Sequence, residues 1–196
     1  MTDLNIKAIF EDIPPMATNR LYLRKISVND AEDMYEYASD RDTTEYLTWE
    51  PHGALKFTKN YLRFLQKQYK CGQYLDWAIV YRENGKMIGT CGFSAIYPEH
   101  GKAEIGYVLN RAYRNKGIAT EACGLVISYA FEQLDIHRIE AKCIVGNDAS
   151  ERVMKKLGMK YEGTYRESMY VKGEYRDIKM YSILSDEYFK RKYNIE

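Results

Sequence analysis

The sequence has few of the features that mark metal proteins, secreted proteins or membrane proteins. It contains three histidines and four cysteines, and none of these has the spacing of a zinc site or a Cys-x-x-Cys pair. No apolar run approaches the ~18–20 residues of a membrane span. Residues 1–15 carry acidic side chains and no apolar core of the signal-peptide type. These absences predict no metal, no membrane association, reduced thiols and a cytoplasmic location.

An excess of charge of one sign is also missing. The 29 basic and 28 acidic residues give a formal net charge of +1. Proteins that bind nucleic acid usually carry a basic footprint, so nucleic acid is not expected as the main partner. A local basic patch for a phosphate-bearing cofactor is still compatible with this balance. The 196 residues, 45% of them hydrophobic, suit one globular domain.

Hydrophobic periodicity and turn residues predict a mixed α/β domain without internal repeats. Strands are predicted at 20–24, 77–81, 87–96, 104–109, 137–145, 159–167 and 174–184, and helices at 31–38, 54–70, 118–134 and 148–157. The start of the last helix, Asp148 to Glu151, fits a capping box. This pattern divides the chain into an N-terminal arm (1–17), one domain (18–184) and a C-terminal tail (185–196).

A basic loop between a predicted strand and a long helix is the most informative segment. Arg111, Arg114 and Lys116 supply positive charge, and Gly117 and Ala119 leave room at the start of the helix. A helix N-terminus offers unpaired N–H groups and partial positive charge, which suit a pyrophosphate. The fingerprints of ATP and dinucleotide sites are absent, so another phosphate-bearing cofactor is predicted. The alternative is a basic turn that only caps the helix.

The spacing Arg114-x-x-Gly117-x-Ala119 resembles the acetyl-CoA pyrophosphate loop of the GNAT superfamily. The segments Arg20–Arg24, Trp49–His52 and Asn147–Met159 are similar to segments of its RimJ/RimL branch, which acetylates the N-termini of ribosomal proteins. The resemblance covers about residues 18–184. It implies an α/β GNAT-like domain, with a mixed, mostly antiparallel sheet that is splayed at its centre and has helices on both faces.

The resemblance also implies direct transfer of acetyl from acetyl-CoA to an amine, either a protein N-terminal α-amine or a small-molecule amine. Relatives of this type are monomers or homodimers. The implied cofactor-binding residues are Tyr107, Val108, Leu109, Arg114, Asn115, Lys116, Gly117, Ile118, Ala119, Thr120, Asn147 and Ser150. Trp49, His52 and Tyr107 are expected to contact the acceptor.

Catalysis by such a domain needs a neutral amine and a hydrogen-bond donor for the departing sulfur. Glu162 and Glu104 are the candidate bases, with Glu162 preferred, although each also fits a solvated surface carboxylate. Many GNAT enzymes use a tyrosine as the acid at the position that Met154 occupies here. Ser150, one turn earlier, is the expected donor in its place. Because of this departure, a catalytically inactive acyl-CoA-binding sensor module remains the alternative function.

Overall fold

Eight strands form one sheet. The computed structural model describes residues 13–70 and 75–194, so most of the predicted arm, Cys71 and the last two residues lie outside it. The strands are β1 (Met16–Ala17), β2 (Leu21–Lys25), β3 (Leu75–Tyr81), β4 (Lys86–Tyr97), β5 (Lys102–Leu109), β6 (Arg138–Ile144), β7 (Lys160–Val171) and β8 (Glu174–Leu184). Across the sheet the strands lie in the order β1-β2-β3-β4-β5-β6-β8-β7. Every predicted strand is present.

Six α-helices are described. They are α1 (Ala31–Ala38), α2 (Arg41–Thr44), α3 (Leu55–Lys70), α4 (Ile118–Gln133), α5 (Asp148–Lys156) and α6 (Ser185–Tyr193). The sequence does not predict α2, which is a single turn begun by the Asp40 side chain. Nor does it predict α6, which lies in the segment set apart as a tail. Tyr188 and Phe189 pack α6 against the core, and Lys192 pairs with Glu132 of α4 (2.5 Å).

The sheet is antiparallel except between β5 and β6. These two strands pair in parallel only over Lys102–Glu104 and Arg138–Glu140. Beyond Glu104 they diverge, and a gap opens between them at the centre of the sheet. The predicted splayed, mostly antiparallel sheet is therefore confirmed.

Both faces of the sheet are covered. Consecutive residues of β4, from Met87 to Phe93, are buried, which requires packing on either side. Trp77 of β3 contacts Tyr129 of α4 edge to face, with ring centroids 5.8 Å apart. Asp33 of α1 accepts a hydrogen bond from the Met87 amide (2.8 Å). Within the described residues, no helix is long and apolar enough to cross a membrane.

Asn147 caps α5, so the prediction that Asp148 begins a capping box is wrong. The Asn147 side chain accepts from the Ser150 amide (3.1 Å), which satisfies one of the free N–H groups of the first turn. Glu151 does not reach back to the cap. It pairs instead with Lys179 (2.6 Å) and accepts from the Tyr181 hydroxyl (2.8 Å).

Candidate active site

A cavity of about 510 Å³ lies where β5 and β6 diverge. Four segments line it: the end of β5, the loop and first turn of α4, the helix α5 with the two residues before it, and the chain from α2 to Leu47. All predicted cofactor residues except Lys116 belong to the lining, namely Tyr107, Val108, Leu109, Arg114, Asn115, Gly117, Ile118, Ala119, Thr120, Asn147 and Ser150. The fold thus brings together two segments that are far apart in sequence.

The loop before α4 is shaped for an anion. Gly117 is the N-cap of α4 with φ +76°, a left-handed conformation that favours glycine, and no side chain caps the first turn. The N–H groups of that turn are therefore available to a ligand. Arg114 also lines the cavity, as do Arg152 and Lys156 of α5. The sequence does not single out these two cations, yet they share one helix face at i, i+4 spacing.

Arg20 fixes the loop before α4 by hydrogen bonds. Its guanidinium donates to the Lys116 carbonyl (3.1 Å) and to Glu121 of α4 (2.9 Å). The Thr18 hydroxyl donates to the same Glu121 carboxylate. Lys116 itself points away from the cavity lining, and its ammonium lies over the Tyr113 ring. The backbone of Lys116, rather than its charge, is what these contacts fix.

Two amides of β5 face the gap. The Asn110 amide donates to the Ile88 carbonyl of β4 (2.7 Å), and a Cβ on Gly89 would meet the Val108 carbonyl. Backbone groups alternate in direction along a strand in an antiparallel pair. The N–H groups of Tyr107 and Leu109 therefore point away from β4, toward the cavity.

Tyr107 and Ser150 form a hydrogen-bonded pair in the cavity wall. The Tyr107 hydroxyl lies 2.8 Å from Ser150 Oγ and 3.1 Å from the Ser150 carbonyl. Burial raises the pKa of Tyr107, so the phenol keeps its proton at neutral pH. Met154, at the place of the family's tyrosine, is fully buried in the core and does not line the cavity.

Comparisons with known proteins agree with this geometry. The sequence profile "Acetyltransferase (GNAT) domain" matches residues 20–160. The chain belongs to the GNAT acetyltransferase family. It is 36% identical over 171 residues to an uncharacterized N-acetyltransferase, p20, of Bacillus licheniformis, covering 87% of this chain and 96% of that protein.

Two further relatives extend the comparison. The putative ribosomal N-acetyltransferase YdaF of Bacillus subtilis is 31% identical over 138 residues, which are 70% of this chain and 74% of that protein. The crystal structure of a GNAT-family acetyltransferase from Bacillus anthracis superposes with a TM-score of 0.79 at 31% identity, covering 89% of this chain and 100% of that one. The resemblance to ribosomal-protein acetyltransferases is thus supported by named relatives.

Neither predicted base lines the cavity of this GNAT domain. Both oxygens of Glu162 accept from Arg138, and Oε1 also accepts from Ser182 (2.5 Å). The Arg138 guanidinium lowers the pKa of Glu162, which makes it a weaker base. Glu104 accepts from Ser94 (2.7 Å) and from Lys142 (3.0 Å). These contacts favour a structural role for each carboxylate.

Of the predicted acceptor residues, only Tyr107 lines the cavity. His52 is buried, and its Nδ1 lies 2.8 Å from the Thr58 hydroxyl. Burial lowers the pKa of His52, so its ring is held neutral. Trp49 packs beside it, with ring centroids 5.3 Å apart. Three carboxylates that the sequence does not predict as site residues do line the cavity: Asp42, Glu45 and Asp148.

The described residues contain no group of three or more His, Cys, Asp or Glu side chains arranged to hold a metal ion.

Proposed function

We propose that this GNAT domain transfers acetyl from acetyl-CoA directly to an amine, and that the preferred acceptor is a protein N-terminal α-amine. One observation carries the proposal: a single cavity joins the uncapped start of α4, the free amides of β5 and the Tyr107–Ser150 pair. An anion site, two amide donors and a hydroxyl donor are the groups that acyl transfer from a thioester of a pyrophosphate-bearing carrier requires. The relationship to YdaF supports a protein acceptor.

The cavity fits acetyl-CoA at its phosphate end. Gly117 brings the backbone to the ligand, and Arg114, Arg152 and Lys156 supply opposite charge. When bound, acetyl-CoA supplies the acetyl group as an activated thioester. Asn147, which lines the cavity, is proposed to contact the pantetheine arm, although its side chain already caps α5.

An α-amine suits this site because no strong base lies in the cavity wall. With a pKa of ~7.7–8.0, about a third of an α-amine is neutral at pH 7.5, against about one in a thousand for lysine. The amides of Tyr107 and Leu109 stabilise the negative charge that develops on the acetyl oxygen. As the C–N bond forms and the C–S bond breaks, the amine proton leaves to water or to a cavity carboxylate. Glu45 and Asp148 are the available carboxylates, since within 13–70 and 75–194 neither has an ion pair, whereas Asp42 pairs with Arg111.

Ser150 is proposed to stabilise the departing thiolate with its hydroxyl proton. The Tyr107 hydroxyl has one proton, which it gives either to the Ser150 carbonyl or to Ser150 Oγ. In the second arrangement the Ser150 proton is free to point into the cavity. The Tyr107 hydroxyl then has a positioning role, since it orients the Ser150 donor without touching the reacting atoms.

An acceptor screen tests the proposal. Peptides that differ only in a free or blocked N-terminus, a lysine-bearing peptide and a polyamine are each mixed with acetyl-CoA. Thiol release and product mass are measured, with Ser150→Ala as the control variant. Acetylation of the free N-terminus alone is expected. Binding of acetyl-CoA without transfer to any amine would instead support the sensor module.

A further inference from the structure

The exposed side of α3 concentrates positive charge. This helix carries five cations, Lys56, Lys59, Arg63, Lys67 and Lys70, and no acidic residue. No Asp or Glu occurs anywhere in 51–75, although the whole chain has a net charge of only +1. Within the part of the chain that the structure describes, none of the five makes an ion pair. Their charge is therefore directed at solvent or at a partner.

An aromatic stripe runs beside these cations. Phe57, Tyr61 and Phe64 are 57%, 36% and 52% exposed, and their i, i+4, i+7 spacing places them on one side of the helix. The opposite side is held in the core by Leu62 and Tyr69, which are fully buried. This helix therefore presents a fixed surface, which we call the α3 face: the aromatic stripe together with the five cations.

The α3 face begins at the rim of the cavity. Leu47 lines the cavity, and Trp49, two residues later, contacts the His52 ring. The His52 ring in turn lies 4.8 Å from that of Phe57 and 5.7 Å from that of Tyr61, measured between centroids. A chain of ring contacts thus joins the cavity rim to the aromatic stripe. A segment bound along α3 would have one end at the cavity.

We propose that the α3 face docks an acidic, partly apolar segment of the protein that carries the acceptor amine. This inference rests on the proposed function. Charge complementarity supports this occupant: acidic side chains would meet the five cations, apolar ones the aromatic stripe, and the cationic N-terminus the Glu45 carboxylate at the cavity. A polyanion such as RNA, or an anionic membrane, would complement α3 but would face the Glu45 carboxylate with like charge.

Matched peptides test the docking surface. All begin with the same three residues and continue as leucine alternating with glutamate, glutamine or lysine. At low ionic strength the glutamate peptide is expected to be acetylated with a kcat/KM about ten-fold above that of the glutamine peptide. The difference should come from a lower KM for the glutamate peptide. The advantage should fall as salt is added. Equal kcat/KM for the two peptides would overturn the inference.

Charge-reversed variants locate the effect. Arg63→Glu/Lys67→Glu should remove the preference for the glutamate peptide. Phe64→Ser should raise KM for the glutamate and glutamine peptides alike, because both carry the same leucines. Neither change should alter kcat for the glutamine peptide. The matched control is Arg166→Glu/Lys190→Glu, which reverses one Arg and one Lys that are exposed elsewhere. A preference that survives Arg63→Glu/Lys67→Glu, a KM that Phe64→Ser leaves unchanged, or a preference that the control removes equally would contradict the α3 face as the docking surface.

A binding measurement separates this inference from the proposed function. The same peptides with blocked N-termini and a fluorescent label are titrated by anisotropy, so no transfer is needed. If no amine is acetylated but the blocked glutamate peptide binds through Arg63 and Lys67, the proposed function fails and the docking surface stands. If single-stranded RNA or phosphatidylglycerol vesicles bind through these residues more tightly than the peptide, the inferred partner is wrong.

Discussion

Replacing Tyr107 with phenylalanine tests how the hydroxyl pair works. The change keeps the buried ring and removes only the oxygen that lies 2.8 Å from Ser150 Oγ and 3.1 Å from the Ser150 carbonyl. Ser150 keeps its place in the cavity lining, where water can reach it. Acetyl-CoA binding should therefore be unchanged, whereas the rate of the chemical step should fall.

The expected magnitude follows from one lost hydrogen bond. A bond of this kind contributes about 1–1.5 kcal/mol net, which corresponds to about a ten-fold fall in the rate of transfer. Ser150→Ala removes the donor itself and should lower the rate of transfer about a hundred-fold, as the loss of a donor to developing negative charge does in other enzymes. If Tyr107 acts only through Ser150, the double variant should be no slower than Ser150→Ala.

Single-turnover rates of acetyl transfer, measured with saturating acceptor, give the required numbers. Circular dichroism and acetyl-CoA titration of each variant serve as controls for folding and binding. Two results would refute the reasoning: a full rate for Tyr107→Phe beside an impaired Ser150→Ala, or two single effects that multiply in the double variant.

Three further changes test the remaining contacts. Arg20→Met should raise KM for acetyl-CoA about ten-fold, since the Lys116 carbonyl loses a charged donor. The control Arg82→Met loses only a bond to the Thr18 carbonyl and should leave KM unchanged. Equal KM values for the two variants would exclude a role for Arg20 in positioning the loop. Glu162→Gln should leave kcat within about two-fold of the wild-type value. The melting temperature should fall, since the ion pair with Arg138 is lost. A large fall in kcat would instead support Glu162 as the base. Burial lowers the pKa of His52 below 6.5, so stability should be full above pH 6.5 and decline as the pH falls below it. In thermal melts, His52→Gln should remove this decline of stability at low pH. A variant whose stability depends on pH as the wild type's does would contradict the role of His52.

The sequence singles out the loop before α4 because its features are contiguous. Its charge, its glycine and its place before a helix are all visible within a few residues, and the structure puts that segment into the cavity wall. The contacts by which Arg20 fixes the loop are not predictable in this way, because Arg20 and Glu121 are 101 positions apart. Only the packing of β2 beside α4 brings them together.

The candidate bases show a different limit. Glu104 and Glu162 are prominent in the sequence, but whether a carboxylate is available depends on which cations the neighbouring strands bring to it. Lys142 pairs with Glu104 and Arg138 pairs with Glu162, and both cations lie on β6. The four-residue helix α2 brings Asp42 to the cavity and Glu45 follows it directly, yet this helix is too short to leave a periodic pattern.

Calorimetric titration with acetyl-CoA tests the central claim most directly, using two substitutions at Gly117. Asparagine and aspartate have nearly the same size, and both tolerate a left-handed φ better than most residues, so they differ mainly by one charge. A Cβ at Gly117 has room, since its nearest neighbour, an Arg20 nitrogen, is 3.8 Å away. We predict that the wild type and Gly117→Asn bind acetyl-CoA and that Gly117→Asp binds at least about a hundred-fold more weakly. Absence of binding by the wild type, or equal binding by the two variants, would contradict the assignment of this loop as the pyrophosphate site.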